Sequence, residues 1–557
     1  MVKIPRLVAV LAVMIVLAVT SVAAARREAL ALKRQTLDLP GPPSKVLSTD
    51  VNRDGISDLV VVVAYTERHQ IGIDRVEGMV QLTEVIPAIF DHREVRLFPG
   101  MPEGGYRTEG YALELPFTVH SMEQGPPASP IVAVTDEGLA EIVLGLSDDG
   151  PTLELREIFR DRPVLAGSGS FQPRLQVVHD LDGDGEMDIL FPSRAGPAVY
   201  MTRGGAIPAE PVQRLELYGR SSSRSRTIRR HYPFPRVLHL DGDDLPDLMY
   251  AYRTGPQGGF QILKGVGGGR FEPLRDGDDD CWDRATDVRL AALPREDGDP
   301  PYPWLKGIES IRDLDGDRLA EAIVVDEQSR DGGMRAGLKD AKRPIQKFRF
   351  HRLDQDLRID PEPYSETRAL GHLMENQDDE VPFSVEVFQD LDNDGREDLV
   401  LVTLDFSVFQ AVKILATKKI SIGLDFHLWH QREDGTFREV KGLDLSEKLK
   451  LDLNDLKFGR FAQFGGDFDG DGIQDFIHLG RGKKVTIHRG SPGCVYPVNP
   501  DLVVELEEEP PHLGLVTVED LDGDGLSDIR IARPAKASDR EVTAPVTLEL
   551  YLSGGAS

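Results

Sequence analysis

The sequence contains very little cysteine. Only Cys281 and Cys494 occur among its 557 residues, which excludes the small extracellular modules that several disulfides hold together. The two cysteines also lie too far apart in the sequence to resemble a zinc site, which needs more ligands at closer spacing. The sequence leaves open whether they form a disulfide or remain two thiols.

The sequence also has fewer basic than acidic residues. The chain has 65 lysine and arginine residues against 94 aspartate and glutamate residues, giving a net charge of −29 at pH 7. A protein of this sign is repelled by nucleic acid and by anionic membrane surfaces, so neither is expected as a main partner. The same excess of carboxylates suits a chain that binds cations.

Familiar catalytic motifs are missing as well. There is no His-Glu-x-x-His, no Gly-x-Ser-x-Gly and no P-loop, and these motifs mark zinc proteases, serine hydrolases and nucleotide-binding proteins. Acidic pairs are abundant, but a repeated loop accounts for most of them, so we nominate no catalytic residues and no site for an organic cofactor. Enzyme activity stays open, and a binding protein is the preferred interpretation.

A long apolar run occurs at the N-terminus. Lys3 and Arg6 precede an uncharged stretch, 7–25, that ends in three alanines before Arg26. This pattern predicts a signal peptide over residues 1–25. The run is also long enough to span a bilayer if it is not cleaved. Either interpretation predicts a secreted, periplasmic or cell-surface protein, with membrane contact only through an uncleaved segment.

An acidic motif recurs along the rest of the chain. In "DLDGDGEMDILF" the carboxylates stand at positions 1, 3, 5 and 9, counted from Asp180, and a glycine stands at position 6. Related stretches begin at residues 50, 133, 180, 239, 313, 390, 467 and 520. A short apolar run before each complete copy and a β-branched run after it predict two strands joined by an acidic loop. Two further strand-like stretches complete a four-stranded antiparallel unit of about 60 residues, the size of a propeller blade.

The acidic loops offer oxygen ligands to a hard cation. Ca²⁺ takes six to eight oxygens, and the side chains at positions 1, 3, 5 and 9, with the backbone carbonyl at position 7, can supply them. The glycine at position 6 suits a sharp turn with positive φ. The predicted ligands are, loop by loop, Asp50, Asn52, Asp54, Ile56 and Asp58; Asp180, Asp182, Asp184, Glu186 and Asp188; Asp313, Asp315, Asp317, Leu319 and Glu321; Asp390, Asp392, Asp394, Arg396 and Asp398; Asp467, Asp469, Asp471, Ile473 and Asp475; Asp520, Asp522, Asp524, Leu526 and Asp528.

The copies are not equivalent. The copy at 239 begins with His239 and has Asp244 in place of glycine, which predicts weak metal binding or none. The copy at 313 has Arg318 at the glycine position and is intermediate, and the copy at 133 has lost its acidic residues and should bind nothing. We therefore expect about five strong calcium sites and one or two weak ones. An EF-hand is excluded, because position 12 never carries the required glutamate and strands follow the loop.

The loop in this strand–loop–strand setting resembles the FG-GAP/VCBS repeat of integrin-α-type β-propellers. The resemblance extends from about residue 36 to residue 557. It implies a ring of seven or eight blades with calcium in the loops, and the eight motif starts favour eight. The N-terminal segment 34–50 is expected to complete the last blade and close the ring. The literal Phe-Gly and Gly-Ala-Pro elements of the family are poorly kept, with "AGPA" at 195–198 the nearest.

Two segments are predicted to interrupt the repeat. Residues 326–385 are polar and charged and indicate a loop excursion with a short helix. Residues 406–460 form the second insertion, and its apolar first part, 406–431, suggests a helix followed by a strand.

Together these features predict an exported, calcium-stabilised β-propeller that binds a polysaccharide or a cell-surface or extracellular protein. The calcium has a structural role, because each ion ties two strand ends together. Two alternatives remain. One is an exported propeller enzyme, such as a polysaccharide lyase or a phosphatase, that uses a central calcium ion. The other is a scaffold held at the membrane by the uncleaved N-terminal segment.

Overall fold

The strands and turns of the protein are known from a computed structural model of the chain. The residues that it describes are 30–65, 86, 90–125, 129–147, 150–164, 176–215, 220–222, 229–231, 234–253, 259–274, 289–290, 308–328, 345–370, 372–373, 388–405, 419–440, 446–452, 462–479, 483–508, 516–534 and 545–554. Within these ranges the chain forms no helix, and so none that is long and apolar enough to cross a membrane. The predicted signal peptide, 1–25, and Cys281 lie outside them.

Eight antiparallel blades build the β-propeller, which confirms the predicted fold class and blade number. Blades 1 to 4 consist of Pro43–Thr49, Asp58–Tyr65, His92–Phe98 and Tyr111–Glu114; Val119–Gln124, Ile131–Thr135, Gly138–Ser147 and Gly150–Arg160; Val178–His179, Asp188–Phe191, Ala198–Tyr200 and Gln213–Arg214; Arg236–Leu238, Asp247–Arg253, Gly259–Gly267 and Arg270–Pro273.

Blades 5 to 8 follow the same plan, and blade 6 has two extra strands at its edges. They consist of Ile308–Arg312, Glu321–Gln328, Ile345–Arg352 and Ser365–Leu370; Phe388–Gln389, Asp398–Asp405, Lys419–Gln431 and Phe437–Glu439, with His372–Leu373 and Ser446–Asp452 added; Ala462–Gly466, Asp475–Leu479, Lys484–His488 and Leu502–Glu505; Val516–Glu519, Asp528–Pro534, Val546–Ser553 and Leu32–Leu39. Two short ladders lie outside the blades, Arg220–Ser222 with Arg229–His231 and Arg289–Leu290 with Arg358–Ile359.

The N-terminal strand closes the ring. Leu32–Leu39 pairs antiparallel with Val546–Ser553, from Leu32 opposite Ser553 to Leu39 opposite Val546. The prediction that segment 34–50 completes the last blade is therefore correct for its first part, whereas Pro43–Thr49 is the first strand of blade 1. This pairing covers an edge of the last blade that would otherwise present unpaired backbone groups.

The second strand of blade 1 shows why its sequence, "DLVVVVAY", is apolar without alternation. Val61 and Val63 pack against blade 8, whereas Val60 and Val62 pack against blade 2. Successive side chains of a strand point to opposite faces, and both faces are covered here by a neighbouring blade. A strand in this position needs apolar residues at every position, and all four valines are fully buried.

The predicted excursion at 326–385 is in part wrong. Ile345–Arg352 and Ser365–Leu370 within it are the third and fourth strands of blade 5. Their charged side chains pair across the sheet, with Lys347 Nζ 2.5 Å from Glu366 Oε1. Because such ion pairs allow charged residues on the face of a sheet, these strands have the charged composition that is typical of a loop.

The second predicted insertion, 406–460, also contributes strands. Lys419–Gln431 is the third strand of blade 6, and Ser446–Asp452 pairs with it at the edge of the sheet. The residues expected to form a helix, 406–418, lie outside the described part of the chain.

The motif copy at residue 133 belongs to a different hairpin from the others. Asp136 and Glu137 form the tight turn between the second and third strands of blade 2. The acidic loops of the other blades join the first strand to the second. The predicted number of eight blades is still correct, because this copy lies in blade 2. It marks a different turn of the blade from the acidic loops.

Candidate metal centres

Seven acidic loops connect the first and second strands of blades 1, 3, 4, 5, 6, 7 and 8. In six of them, all but the loop of blade 4, the chain turns at position 6 with positive φ, for example +80° at Gly185. In blade 5 the same conformation is imposed on Arg318, with φ of +69°. A side chain in this region is strained, so the loop of blade 5 carries a backbone cost at position 6 that the loops with glycine there avoid.

The position 1 carboxylate organises the backbone of each complete loop. In blade 3, Asp180 Oδ1 accepts a hydrogen bond from Gly183 N at 2.7 Å, and Oδ2 accepts one from Gly185 N at 3.0 Å. Position 5 adds another, since Asp184 Oδ1 accepts from Glu186 N at 2.7 Å. These hydrogen bonds hold the side chains together but leave their negative charges in place.

The position 9 acid has a role that the sequence did not reveal. Asp188 is almost completely buried, and its carboxylate accepts from Leu181 N at 2.9 Å and from Thr202 N at 2.8 Å. Leu181 lies in the loop and Thr202 follows the third strand, so one side chain ties three parts of the blade together. The same pair of hydrogen bonds is made by Asp58, Asp247, Asp398, Asp475 and Asp528.

Burial raises the pKa values of these acids. The pKa of Asp188 rises to about 6, and those of Asp475 and Asp528 rise to about 7. Glu321, the position 9 acid of blade 5, rises furthest, to about 9. Their backbone hydrogen bonds and the neighbouring loop carboxylates have smaller effects, the first lowering and the second raising the pKa. A cation in the loop would favour the ionised form and oppose the effect of burial.

Position 3 provides the clearest sign that the loops fit a cation. Asp182 Oδ1, Asp392 Oδ1 and Asp522 Oδ1 are buried and have no hydrogen-bond partner in the described part of the chain. A buried carboxylate oxygen without a partner is costly. In blade 3 the carboxylates of Asp180, Asp182 and Asp184 can place oxygens within 4.8 Å of one another. Oxygen atoms at this spacing suit Ca²⁺, whose ligands lie about 2.3–2.6 Å from the ion.

Similar groups occur in three further blades. The carboxylates that come within 4.8 Å of one another are Asp313, Asp315 and Glu321 in blade 5, Asp390, Asp392 and Asp394 in blade 6, and Asp467, Asp469 and Asp475 in blade 7. Blades 5 and 7 thus bring the position 9 acid into the group, whereas blades 3 and 6 bring in the position 5 acid.

Some loops contain a cation of the protein itself. In blade 4, Lys264 forms an ion pair with Asp241 and lies 3.7 Å from Asp243, while Arg318 of blade 5 pairs with Asp244. These pairs partly neutralise the carboxylates of the blade 4 loop.

An arginine contacts a carboxylate in two complete loops. In blade 6, Arg396 pairs with Asp394. In blade 7, Arg489 Nε lies 3.2 Å from Asp469 Oδ2. No ion pair reaches the position 1, 3 or 5 acids of blades 3 and 8 within the described residues.

The loops of consecutive blades touch one another. Glu397 N donates to Leu314 O at 2.7 Å, and Gln474 N donates to Leu391 O at 2.9 Å. Equivalent bonds join blade 4 to blade 5 and blade 7 to blade 8. In blade 1, Tyr106 donates its hydroxyl to Leu521 O in the loop of blade 8. The acidic loops therefore form one continuous row from blade 4 to blade 8.

Two residues beside the loop of blade 6 could not be found from the sequence. Cys494 is a free, fully buried thiol that lies against Asp398, and His430 contacts the same carboxylate. Burial and the neighbouring carboxylates raise the pKa of Cys494 above its usual range. These residues come from blades 6 and 7 and are brought together only by the fold.

No family model and no curated protein matches the chain. One solved structure similar to it is a putative 6-phosphogluconolactonase from Bacteroides fragilis, with 10% identity, a TM-score of 0.27, and 74% of this chain and 85% of that chain covered. Another is the Tc holotoxin pore of Photorhabdus luminescens, with 12% identity, a TM-score of 0.27, and 95% of this chain but 23% of that chain covered. Likenesses this low add nothing to the blade architecture or to the sites described above.

Proposed function

We propose that the chain is an exported calcium-binding β-propeller that serves as a binding module for a polysaccharide or a surface protein. The calcium ions are structural in this proposal. The observation that carries it is a pair of buried oxygens, Asp182 Oδ1 and Asp522 Oδ1, that have no hydrogen-bond partner among the described residues. Each lies in a loop of three or more carboxylates. An oxygen-rich site of this kind suits Ca²⁺ better than a transition metal.

Calcium would act through the position 9 acid. In blade 3 this acid, Asp188, already joins the loop to the end of the third strand through two backbone hydrogen bonds. An ion held by Asp180, Asp182 and Asp184 would add electrostatic attraction to that buried charge. It would thereby fix the loop on the blade, and the row of loops on the ring.

The lysine and arginine side chains near the loops predict an order of calcium affinity. Blades 3 and 8 should bind calcium most tightly, because no ion pair reaches their position 1, 3 or 5 acids within the described residues. Blades 6 and 7 should bind less tightly, since Arg396 and Arg489 already contact loop carboxylates. Blade 5 is weakened by Arg318, and blade 4 should bind none because Lys264 stands in for the ion. Extracellular modules bind Ca²⁺ with dissociation constants of about 10⁻⁴–10⁻³ M, so calcium titrations should cover these concentrations.

The proposal is tested by thermal unfolding of the full chain in excess EGTA and in millimolar Ca²⁺, with Mg²⁺ at the same concentration as a control. We expect the melting temperature to rise in calcium and to change much less in magnesium, which prefers a stricter octahedral site. A melting temperature that does not respond to calcium would contradict the structural role of the ion.

The binding role needs a separate test. The full chain would be applied to polysaccharide arrays and to extracellular protein panels in millimolar Ca²⁺ and in EGTA. We expect a polysaccharide or protein ligand that is retained in calcium and released by EGTA. Chemical turnover of a bound polysaccharide or phosphate ester would instead favour the enzyme alternative.

A further inference from the structure

A cluster of different composition lies where blade 6 meets blade 7. Asp392, Asp398, His430 and Cys494 can each place one ligand atom within 4.8 Å of all the others. Cys494 Sγ lies 2.9 Å from Asp398 Oδ2 and 3.7 Å from His430 Nδ1. His430 Nδ1 in turn lies 3.1 Å from Asp398 Oδ1 and 3.8 Å from Asp392 Oδ2. The four side chains thus converge on one point.

This convergence is unlike a cysteine–histidine–aspartate catalytic relay. In such a relay the thiol and the carboxylate contact different nitrogens of the imidazole ring. Here Cys494 and Asp398 both approach the same nitrogen, Nδ1 of His430. Cys494 is also fully buried, so its sulfur has no room for a substrate. Side chains that converge on one point, and do not form a linear hydrogen-bonded relay, are typical of metal ligands.

Asp392 gives a second and independent indication of a ligand. It is 7% exposed, and its Oδ1 is buried without a hydrogen-bond partner among the described residues. Its other oxygen, Oδ2, accepts a hydrogen bond from Gly493 N. Gly493 and Cys494 are adjacent in the chain, so the same turn of blade 7 positions the carboxylate and delivers the thiol. Cys494 itself has a φ of +56°, a strained conformation for a residue other than glycine.

The position of His430 in its blade supports the same interpretation. His430 precedes Gln431, whose N–H binds the position 9 acid. The residues that correspond to His430 in blades 4 and 7 are Lys264 and Arg489, which precede Gly265 and Gly490 in the same way. Each of them contacts the position 3 acid of its own loop. Blade 6 therefore has a metal-ligating side chain where blades 4 and 7 have a permanent cation.

We propose that this cluster binds one Zn²⁺ ion through Cys494 Sγ, His430 Nδ1 and one carboxylate oxygen each from Asp392 and Asp398. Zinc is bound by sulfur, nitrogen and oxygen in tetrahedral sites, and ligand bonds of about 2.0–2.3 Å place the ligand atoms roughly 3.3–3.8 Å apart. The separations of 3.7 and 3.8 Å fall in this range. The two shorter ones, 2.9 and 3.1 Å, are hydrogen-bond distances that widen slightly when the metal replaces the proton. Calcium is a poor occupant because it disfavours thiolate and imidazole ligands.

The test uses Co²⁺ as a spectroscopic substitute for zinc. The full chain, freed of metal by a chelator and dialysed into millimolar Ca²⁺ to fill the other loops, is titrated with Co²⁺. We expect a thiolate-to-cobalt charge-transfer band that saturates at about one equivalent and disappears when Zn²⁺ is added. Cys494→Ser should abolish the band. His430→Gln keeps the thiol but should weaken Co²⁺ binding by at least about 100-fold.

Two controls assign the band to this cluster. Cys281→Ser removes the second cysteine of the sequence and should leave the band unchanged. The calcium-dependent rise in melting temperature should persist in Cys494→Ser, so the zinc and calcium proposals stand or fall separately. No band in the wild-type chain, or a band that survives in Cys494→Ser, would overturn the zinc site. If Cys494→Ser does not fold, His430→Gln replaces it as the test. A His430→Gln variant that binds Co²⁺ with the wild-type affinity would then overturn the zinc site.

Discussion

The loops of blades 3 and 4 join the same two strands of their blades but neutralise their carboxylates differently. In both, the position 9 acid is buried and accepts two backbone hydrogen bonds, at Asp188 and at Asp247. In blade 4 the position 3 acid, Asp241, is paired with Lys264. In blade 3 the corresponding Asp182 Oδ1 is buried without a hydrogen-bond partner in the described part of the chain.

The difference separates two roles that the acidic motif combines. The position 9 acid shapes the blade whether or not a metal binds, because its partners are backbone N–H groups. The acids at positions 1, 3 and 5 concentrate negative charge, which either a lysine or a metal ion can neutralise. A loop that contacts a side-chain cation is therefore expected to depend less on calcium.

Replacing the position 9 acid should have the largest effect. Asp188→Ala leaves the N–H groups of Leu181 and Thr202 without an acceptor, and an unsatisfied buried donor costs about 1–3 kcal/mol. We expect the free energy of unfolding to fall by roughly 2–5 kcal/mol in EGTA, measured by guanidinium unfolding. Asp247→Ala should cost a similar amount. In millimolar Ca²⁺ the cost of Asp188→Ala should grow and that of Asp247→Ala should not; equal growth in both would contradict the comparison.

The pH dependence of stability should differ with and without calcium. Burial raises the pKa of Asp188 to about 6 and that of Asp247 to about 7. Between the unfolded value, near 4, and these folded values the native state binds more protons than the unfolded state. Stability in EGTA should therefore fall as the pH rises from about 5 to about 8.

Calcium should weaken that trend by favouring the ionised acids. Melting temperatures across the pH range, with EGTA and with calcium, test both statements. A metal-free protein that becomes more stable as the pH rises would contradict the assignment of these acids.

Removing the lysine of blade 4 should convert its loop toward the behaviour of blade 3. Lys264→Met leaves the buried carboxylate of Asp241 without its ion pair, and we expect a loss of about 1–2 kcal/mol in EGTA because the lysine is partly exposed. Part of this loss should be recovered in millimolar Ca²⁺. Lys264→Arg keeps the charge and serves as the control. An equal loss with and without calcium in Lys264→Met would show that a lysine and a metal ion are not interchangeable here.

The smallest effect is expected at Arg318. Arg318→Gly relieves a side chain held at a φ of +69° and gives up an exposed ion pair with Asp244. These changes oppose each other, so stability in EGTA should shift by less than about 1 kcal/mol. Calcium affinity of the blade 5 loop should rise, because its glycine is restored and its positive charge removed. Calcium titration monitored by melting temperature measures this, with Arg318→Lys as the charge-retaining control.

The ring could be predicted from the sequence because the acidic motif marks the same connection in seven blades. Blade 2 was placed through an unrelated turn at Asp136, since its own connection has no acidic residues to mark it. Two strands of blade 5 have the composition of a loop, because residues such as Lys347 and Glu366 place paired charges on the sheet.

The cluster of blades 6 and 7 could not be predicted from residue spacing. His430 and Cys494 lie 64 residues apart in the chain and meet only because neighbouring blades pack together. The burial of the position 9 acids could not be predicted either. The motif shows which residues carry carboxylates, but not which of these the third strand buries.

The central claim is that calcium ions neutralise the complete acidic loops, most tightly those that no side-chain cation contacts, and counting bound calcium tests it most directly. Equilibrium dialysis of the full chain, first freed of zinc, in millimolar Ca²⁺ should give about five ions, including one in the blade 6 loop whose Asp392 and Asp398 a zinc ion would otherwise take. Asp182→Asn should remove one of them, whereas Asp241→Asn in blade 4 should remove none. A wild-type chain that retains no calcium, or an equal loss from both variants, would contradict the account.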